Sequence, residues 1–520
     1  SGCSAFAAGV FPYWKPGDDT DNYMREIVEY NSEYLIDQDY VEIAVKESYP
    51  RFLDLLSFGV EFAREKDGTV RRIKTLTSKY GYCSPFAGGH HLTWKIRAEA
   101  VRRGVKMLDR IMVVDLLIRG GRCMGAVGFH VRDGRFYVFK SKATVLAAGG
   151  LLFNRAQMGA SGACGDGYAL AFRAGLELRN MDQLGHVQIG PKNLGAPGLH
   201  VIFGEGGIMV NAKGERFMER YNPRLKEEAR RFETARAILR EWKEGRGPCS
   251  LDCSHLSAQK IDTIKRSLPL MMKGLESQGL DLAKDKIEYI PYSFALLHMG
   301  GTRIKNANGE VDINGLWVPG AAGDYCGGAD ATAVTALPGT SVQGVRAGRQ
   351  AAKYLKDAPR PTIARDTISE LKKETFAAIN KRGKKGIEPE AVFHELLKVS
   401  FRYINVLESE PMLKRAIKEL ANLKDKMPDV VAKDPHDLQK FHNVRNMLPL
   451  ADVAARASLL RTESRRGHFR LDYPHRDDEN WLKWVVAKQA GDEVKIWTED
   501  IPLAKWKYKP AKFGAQPKRK

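Results

Sequence analysis

The chain has 520 residues, 43% hydrophobic and 9% aromatic, which suits two to four globular domains and excludes a chain dominated by disorder. Its longest apolar runs, 111–118 and 143–148, are far short of a bilayer span, and the opening Ser1-Gly2-Cys3 lacks the basic region of a signal peptide. The net charge of +20 points to an anionic substrate, an anionic cofactor or an acidic protein partner.

Together these features predict a soluble, cytoplasmic protein that does not span a membrane. The basic runs Arg230-Arg231, 381–385 and Lys518-Arg519-Lys520 carry no interleaved aromatics, which argues against nucleic acid. Seven cysteines without a C-x-x-C pair argue against a disulfide framework and against an iron–sulfur cluster held by this chain. Cys249, Cys253 and His255 lack a fourth metal ligand and read as two small buried thiols beside a histidine.

In chain order, residues 23–62 show helical spacing, and the hinge Ala87-Gly88-Gly89 leads into a helix over 92–103. Strands are predicted over 111–118, 124–131 and 136–139, with Asp133-Gly134 as a hairpin turn. Residues 142–148 read as a buried strand ending in Gly149-Gly150, followed by a loop and a helix within 159–174. Helices follow over 227–244 and 258–278, then a strand over 289–297 and a Gly/Ala-rich strand-to-helix block over 315–348. Beyond the linker Pro359-Arg360-Pro361 the chain turns to charged helix as far as about 433, then an Arg-rich helix over 455–466 and an aromatic, basic tail.

Three glycine-flanked turns carry the chemistry. The strand before Gly149-Gly150 lets backbone approach a flat or phosphorylated ligand, and Gly165-Asp166-Gly167 opens a helix whose free N–H groups suit an anionic or polar group. Gly323-Asp324 repeats the strand–glycine–acid order, and Leu337-Pro338-Gly339-Thr340-Ser341 opens another helix. Three such turns, two with a nearby acid, point to a dinucleotide pocket.

The ordered set of short strings then resembles the flavoprotein subunits of succinate dehydrogenase, fumarate reductase and adenylylsulfate reductase. It comprises residues 1–9, Leu146 to Gly150, 165–167, 204–207 with Asn211 and 214–221, 244–247, 298–301, Gly348-Arg349, Glu463 to Arg465 with His468, and 472–481. The stretch 125–139 looks most like the adenylylsulfate reductase branch. The resemblance implies an α/β fold: a Rossmann-like FAD-binding domain (1–183 and 298–358) without its first βαβ element, as in an N-terminally truncated chain. An α+β capping domain (184–297) interrupts it, and a helical domain (361–465) and a tail (466–520) follow.

It further implies FAD held by Ser4, Ala5, Gly9, Ala148, Gly149, Asp166, Asp324, Gly339, Ser341 and Val342. Arg231 is the expected proton donor and His298 the expected donor to a substrate carboxylate, with His186, Glu205 and His468 as further substrate candidates. Gly2 stands where membrane-bound respiratory relatives attach flavin to histidine, so the FAD is expected to be non-covalent. Ala336 stands where dicarboxylate enzymes carry an arginine clamp, Leu199-His200 where they carry Thr-Glu, and Phe232 follows Arg231 where Asp is usual. These departures argue against succinate or fumarate as substrate. The implied role is an FAD-dependent oxidoreductase subunit passing electrons between a small anionic substrate and an iron–sulfur partner. The alternatives are a soluble flavin reductase of another unsaturated acid without such a partner, and a non-catalytic flavoprotein subunit.

Overall fold

The strand-rich stretch forms an antiparallel meander of Ile111–Arg119, Arg122–His130 and Phe136–Lys140. The computed structural model describes residues 2–7, 9–74, 78, 80–153, 162–185, 188–192, 194, 199–292, 297–324, 328–329, 336–381, 383 and 385–510. Residues 185, 188, 199, 200, 270, 292, 297 and 298 are described by their backbone alone. The architecture is mixed α/β with a helical C-terminal domain, as expected.

After the meander comes Thr144–Val145, parallel to Leu316–Trp317. This strand is not the buried one the sequence suggested: Val145 is 42% exposed. Among the described residues it pairs with Leu316–Trp317 alone, so its outer edge has no neighbouring strand to cover it. Both strands run into glycine turns that face the helices Asp166–Arg173 and Leu337–Tyr354.

Leaving this region, the chain passes through Leu184–Gly185 and returns through Leu297–His298, and these two segments pair antiparallel as a ribbon. Between them lies a four-stranded antiparallel sheet in the order Gln188–Pro191, Ile287–Tyr292, Ser250–Asp252, Ile208–Val210. The helix expected over 227–244 breaks at Ala229 and Arg230, whose backbone is extended, so Arg231–Lys243 begins afresh at Arg231. That over 258–278 breaks at Leu268 because Pro269 disfavours helical backbone in the residue before it.

Four helices, Arg365–Thr375, Pro389–Tyr403, Glu410–Lys426 and Pro435–Leu460, build the C-terminal domain. The Arg-rich helix does not reach 466; it ends at Leu460, and Arg461, Arg465 and Arg470 beyond it are buried in irregular chain. Arg470 caps that end, its Nη1 donating to the carbonyls of Ser458, Leu459 and Arg461 at 2.8, 3.1 and 3.2 Å. The expected tail is instead a hairpin, Lys483–Ala490 and Glu493–Asp500, whose first strand pairs with Leu178–Arg179. Four consecutive residues of that strand, Trp484 to Ala487, are buried.

Candidate flavin and substrate site

The glycine turns converge. A methyl built on Gly167 would lie 2.8 Å from Ala322 Cβ, 3.5 Å from Gly149 O and 3.6 Å from Ala148 Cβ, so three chain-distant turns touch here. Tyr168 Oη donates to Gly300 O at 2.9 Å, tying the same cluster to the His298-Met299-Gly300-Gly301 string. Gly149 has φ 80°, and a methyl built on it meets no protein atom within 4 Å. The first loop is tied to the 86–89 hinge: Gly89 N donates to Ala7 O at 3.2 Å and Phe86 N to Gly9 O at 2.7 Å.

Two helices open beside this cradle with no side-chain cap. Asp166–Arg173 starts from Gly165 in the left-handed region, and the 18-residue Leu337–Tyr354 starts from Ala336. Their first-turn N–H groups and positive ends suit a polar or anionic group. With the open face of Gly149, this donor set fits a flavin dinucleotide.

The FAD candidates are placed unequally. Ser4 and Ala148 are exposed, and Ala5, Gly9 and Gly149 partly so. Gly339 is buried in the first turn of its helix, and buried Val342 lines a small pocket together with Tyr40 and Val41. Ser341 Oγ donates to Leu337 O at 2.7 Å, within its own helix. Asp166 accepts from Asn446 Nδ2 at 2.7 Å, and burial raises its pKa. Asp324 is fully buried, paired with Arg179 and accepting from Ile304 N at 3.1 Å; burial pushes it up to about 6.

The substrate candidates divide as well. Arg231 is the first residue of its helix, and the strings that marked the family prove to support that helix. Buried Glu241 accepts from Arg246 at 2.7 Å through both Nε and Nη2, from Asn211 Nδ2 at 2.8 Å and from Tyr221 Oη at 2.7 Å. Burial raises its pKa, but these bonds outweigh burial and bring it to about 2. The backbone of His298 pairs with Leu184. Glu205 closes a short helix on the cap, its carbonyl accepting from Lys260 Nζ at 2.8 Å. His468 is fully buried, its Nδ1 3.5 Å from Glu408. His186 lies outside the described residues.

Cys249 and Cys253 are buried, and burial pushes both thiols up to about 12, while His255 Nε2 lies 2.9 Å from Gly206 O. Among the described residues no group of three or more His, Cys, Asp or Glu could hold a metal, and no helix is long and apolar enough to cross a membrane.

Sequence reasoning missed Arg236, Glu33, Arg466 and Arg179. Arg236 is half-buried, its guanidinium carbon 4.8 and 4.3 Å from the ring centroids of Phe232 and Phe469. It donates to the carbonyls of Val406 (3.2 Å) and Arg466, and burial pulls its pKa down to about 9. The only sequence signal was its five-residue spacing from Arg231.

Residues 1–342 match the family described as FAD binding domain, and residues 394–514 match the fumarate reductase flavoprotein C-terminal family. One of the chains of the CoM/CoB fumarate reductase of Methanothermobacter marburgensis is 30% identical over 94% of this chain and 90% of its own length. The fold is that of the quinol fumarate reductase flavoprotein of E. coli, with a TM-score of 0.85 at 23% identity over 99% of this chain and 92% of that one. The adenylylsulfate reductase of Archaeoglobus fulgidus is also similar, with a TM-score of 0.76 at 19% identity over 98% and 90%. The chain belongs to the FAD-binding family of fumarate reductase and succinate dehydrogenase flavoprotein subunits and is an FAD-dependent oxidoreductase.

Proposed function

We propose that this chain is the flavin-bearing subunit of a two-component redox enzyme, passing electrons between a small anionic substrate other than succinate or fumarate and an iron–sulfur protein. The observation that carries the substrate half is Ala336 at the start of the helix Leu337–Tyr354: it offers no guanidinium to a second carboxylate. The partner half rests on the methanogen relative, itself one component of its enzyme, on the basic surplus, and on the lack of a C-x-x-C pair in the sequence.

When bound, FAD supplies hydride exchange with a substrate carbon and single-electron exchange with a separate cluster. The protein's part is to orient the substrate and to manage a proton. Arg231 holds that proton on its guanidinium and exchanges it at the neighbouring substrate carbon. Its place at the start of the helix Arg231–Lys243 sets it at the positive end of that helix. The backbone hydrogen bonds of the 184–185/297–298 ribbon fix where His298 is presented.

The test is stopped-flow reoxidation of the dithionite-reduced holoprotein by fumarate, crotonate and other small unsaturated acids, with and without the co-purified iron–sulfur protein. The expected result is faster reoxidation by a monoanion than by fumarate, abolished in Arg231→Gln with FAD still bound. Efficient fumarate turnover would overturn the substrate half, and isolation without any cluster-bearing protein the partner half.

A further inference from the structure

Arg466 adopts φ 49°, a left-handed conformation that costs free energy for any residue with a Cβ. Glu33 and Tyr34 share that conformation at φ 43° and 68°, and Glu33 Oε1 lies 3.0 Å from Arg466 Nε. The turn they form follows a π-helix, Glu26–Asn31, itself a form enriched at functional sites. Strained backbone thus meets strained backbone across one ion pair.

This junction touches each element that presents a catalytic candidate. Arg466 O accepts from Arg236, in the helix that begins with Arg231. Arg230 Nη1 donates to Tyr30 O at 3.0 Å, and Arg465 Nη1 to Glu33 O at 2.8 Å. Gly467 packs directly against the carbonyl of Leu184, the residue whose backbone pairs with His298.

We propose that Arg466 is a positioning residue for the reaction, fixing the first turns of the helix Arg231–Lys243 against the 30–34 turn through Glu33 and Arg236. This rests on Arg231 being the proton donor. Relief of strain alone would favour a glycine here, which adopts φ 49° freely and would keep the carbonyl that Arg236 binds. The side chain adds its pairing with Glu33, largely buried at 9% and 18% exposure, so it holds the 30–34 turn against this junction. Strained backbone kept where several elements meet is a mark of function.

The decisive variant is R466G in the full-length holoprotein. Its unfolding midpoint should fall, because Glu33 is left largely buried without its partner. Amide hydrogen exchange over 30–34 and 231–236 should run about ten-fold faster, more than that fall accounts for. With reduced flavin and crotonate or fumarate as oxidant, kcat should fall about ten-fold with KM little changed. R466K, which keeps a charge beside Glu33, should recover part of the exchange protection. A lower midpoint with unchanged local exchange would assign Arg466 to simple stabilisation and overturn the proposal, as would unchanged exchange and unchanged kcat. If neither acid reoxidises the wild-type flavin, local exchange alone decides the positioning role, and the proposed function is decided by the other unsaturated acids.

Discussion

Arg179 and Asp324 form an ion pair sealed from solvent, 5% and 0% exposed, and the ring of Trp484 lies 4.0 Å from the guanidinium carbon. The pair joins the glycine turn after Leu316–Trp317 to the strand that receives the C-terminal hairpin. Asp324 is therefore a joint of the fold before it is a ligand contact. Asp324→Ala strands a buried guanidinium and should cost about 3–5 kcal/mol. Urea unfolding checks this, and FAD loss should track unfolding; normal stability with selective FAD loss would restore a direct flavin contact.

Gly149 makes the complementary prediction. Gly149→Ala clashes with no protein atom, so the apoprotein should lose only about 1–2 kcal/mol, through φ 80°. The methyl points into the space assigned to the cofactor, and FAD affinity should fall at least about ten-fold. Fluorescence titration of apoprotein with FAD separates the two effects.

Gly2 offers no imidazole for a covalent bond to flavin. Trichloroacetic acid precipitation of the holoprotein should therefore leave all yellow colour in the supernatant. Flavin fluorescence on the protein band of a denaturing gel would refute this.

His442 predicts a pH dependence. Burial pulls its pKa from 6.5 to about 3, and Nε2 lies 2.9 Å from Thr375 O inside the helical domain. Its folded pKa lies below the unfolded one, so the stability gained from keeping it neutral is present above about pH 6.5. That contribution is lost as pH falls from there towards 3, because the unfolded chain binds the proton first. The slope should approach about 1.4 kcal/mol per pH unit. His442→Gln should flatten this limb of the stability profile measured by urea unfolding.

The sequence made the local devices legible. The 111–140 meander, the cap helix ending at Gly245 and the helix opened by Gly165-Asp166 depend on nearby turns and spacing, and the structure has them all. Long-range pairings were not legible. Nothing local to Lys483–Ala490 says that its partner is Leu178–Arg179. Likewise Glu463, Arg465 and His468 stood out as a string, yet the groups around them, Asp182, Glu408 and Glu33, come from three other regions. A buried carboxylate and an exposed one look alike in sequence; only the tertiary structure shows that Asp324 meets Arg179.

Because Val486 and Ala487 pair with Arg179 and Leu178, the flavin-binding half waits on a strand synthesised long after its own partner. During synthesis Leu178–Arg179 presents an unpaired edge while some three hundred residues are still to come, a window open to wrong strand partners. A fragment ending before the hairpin should accumulate as aggregate rather than as a smaller flavoprotein.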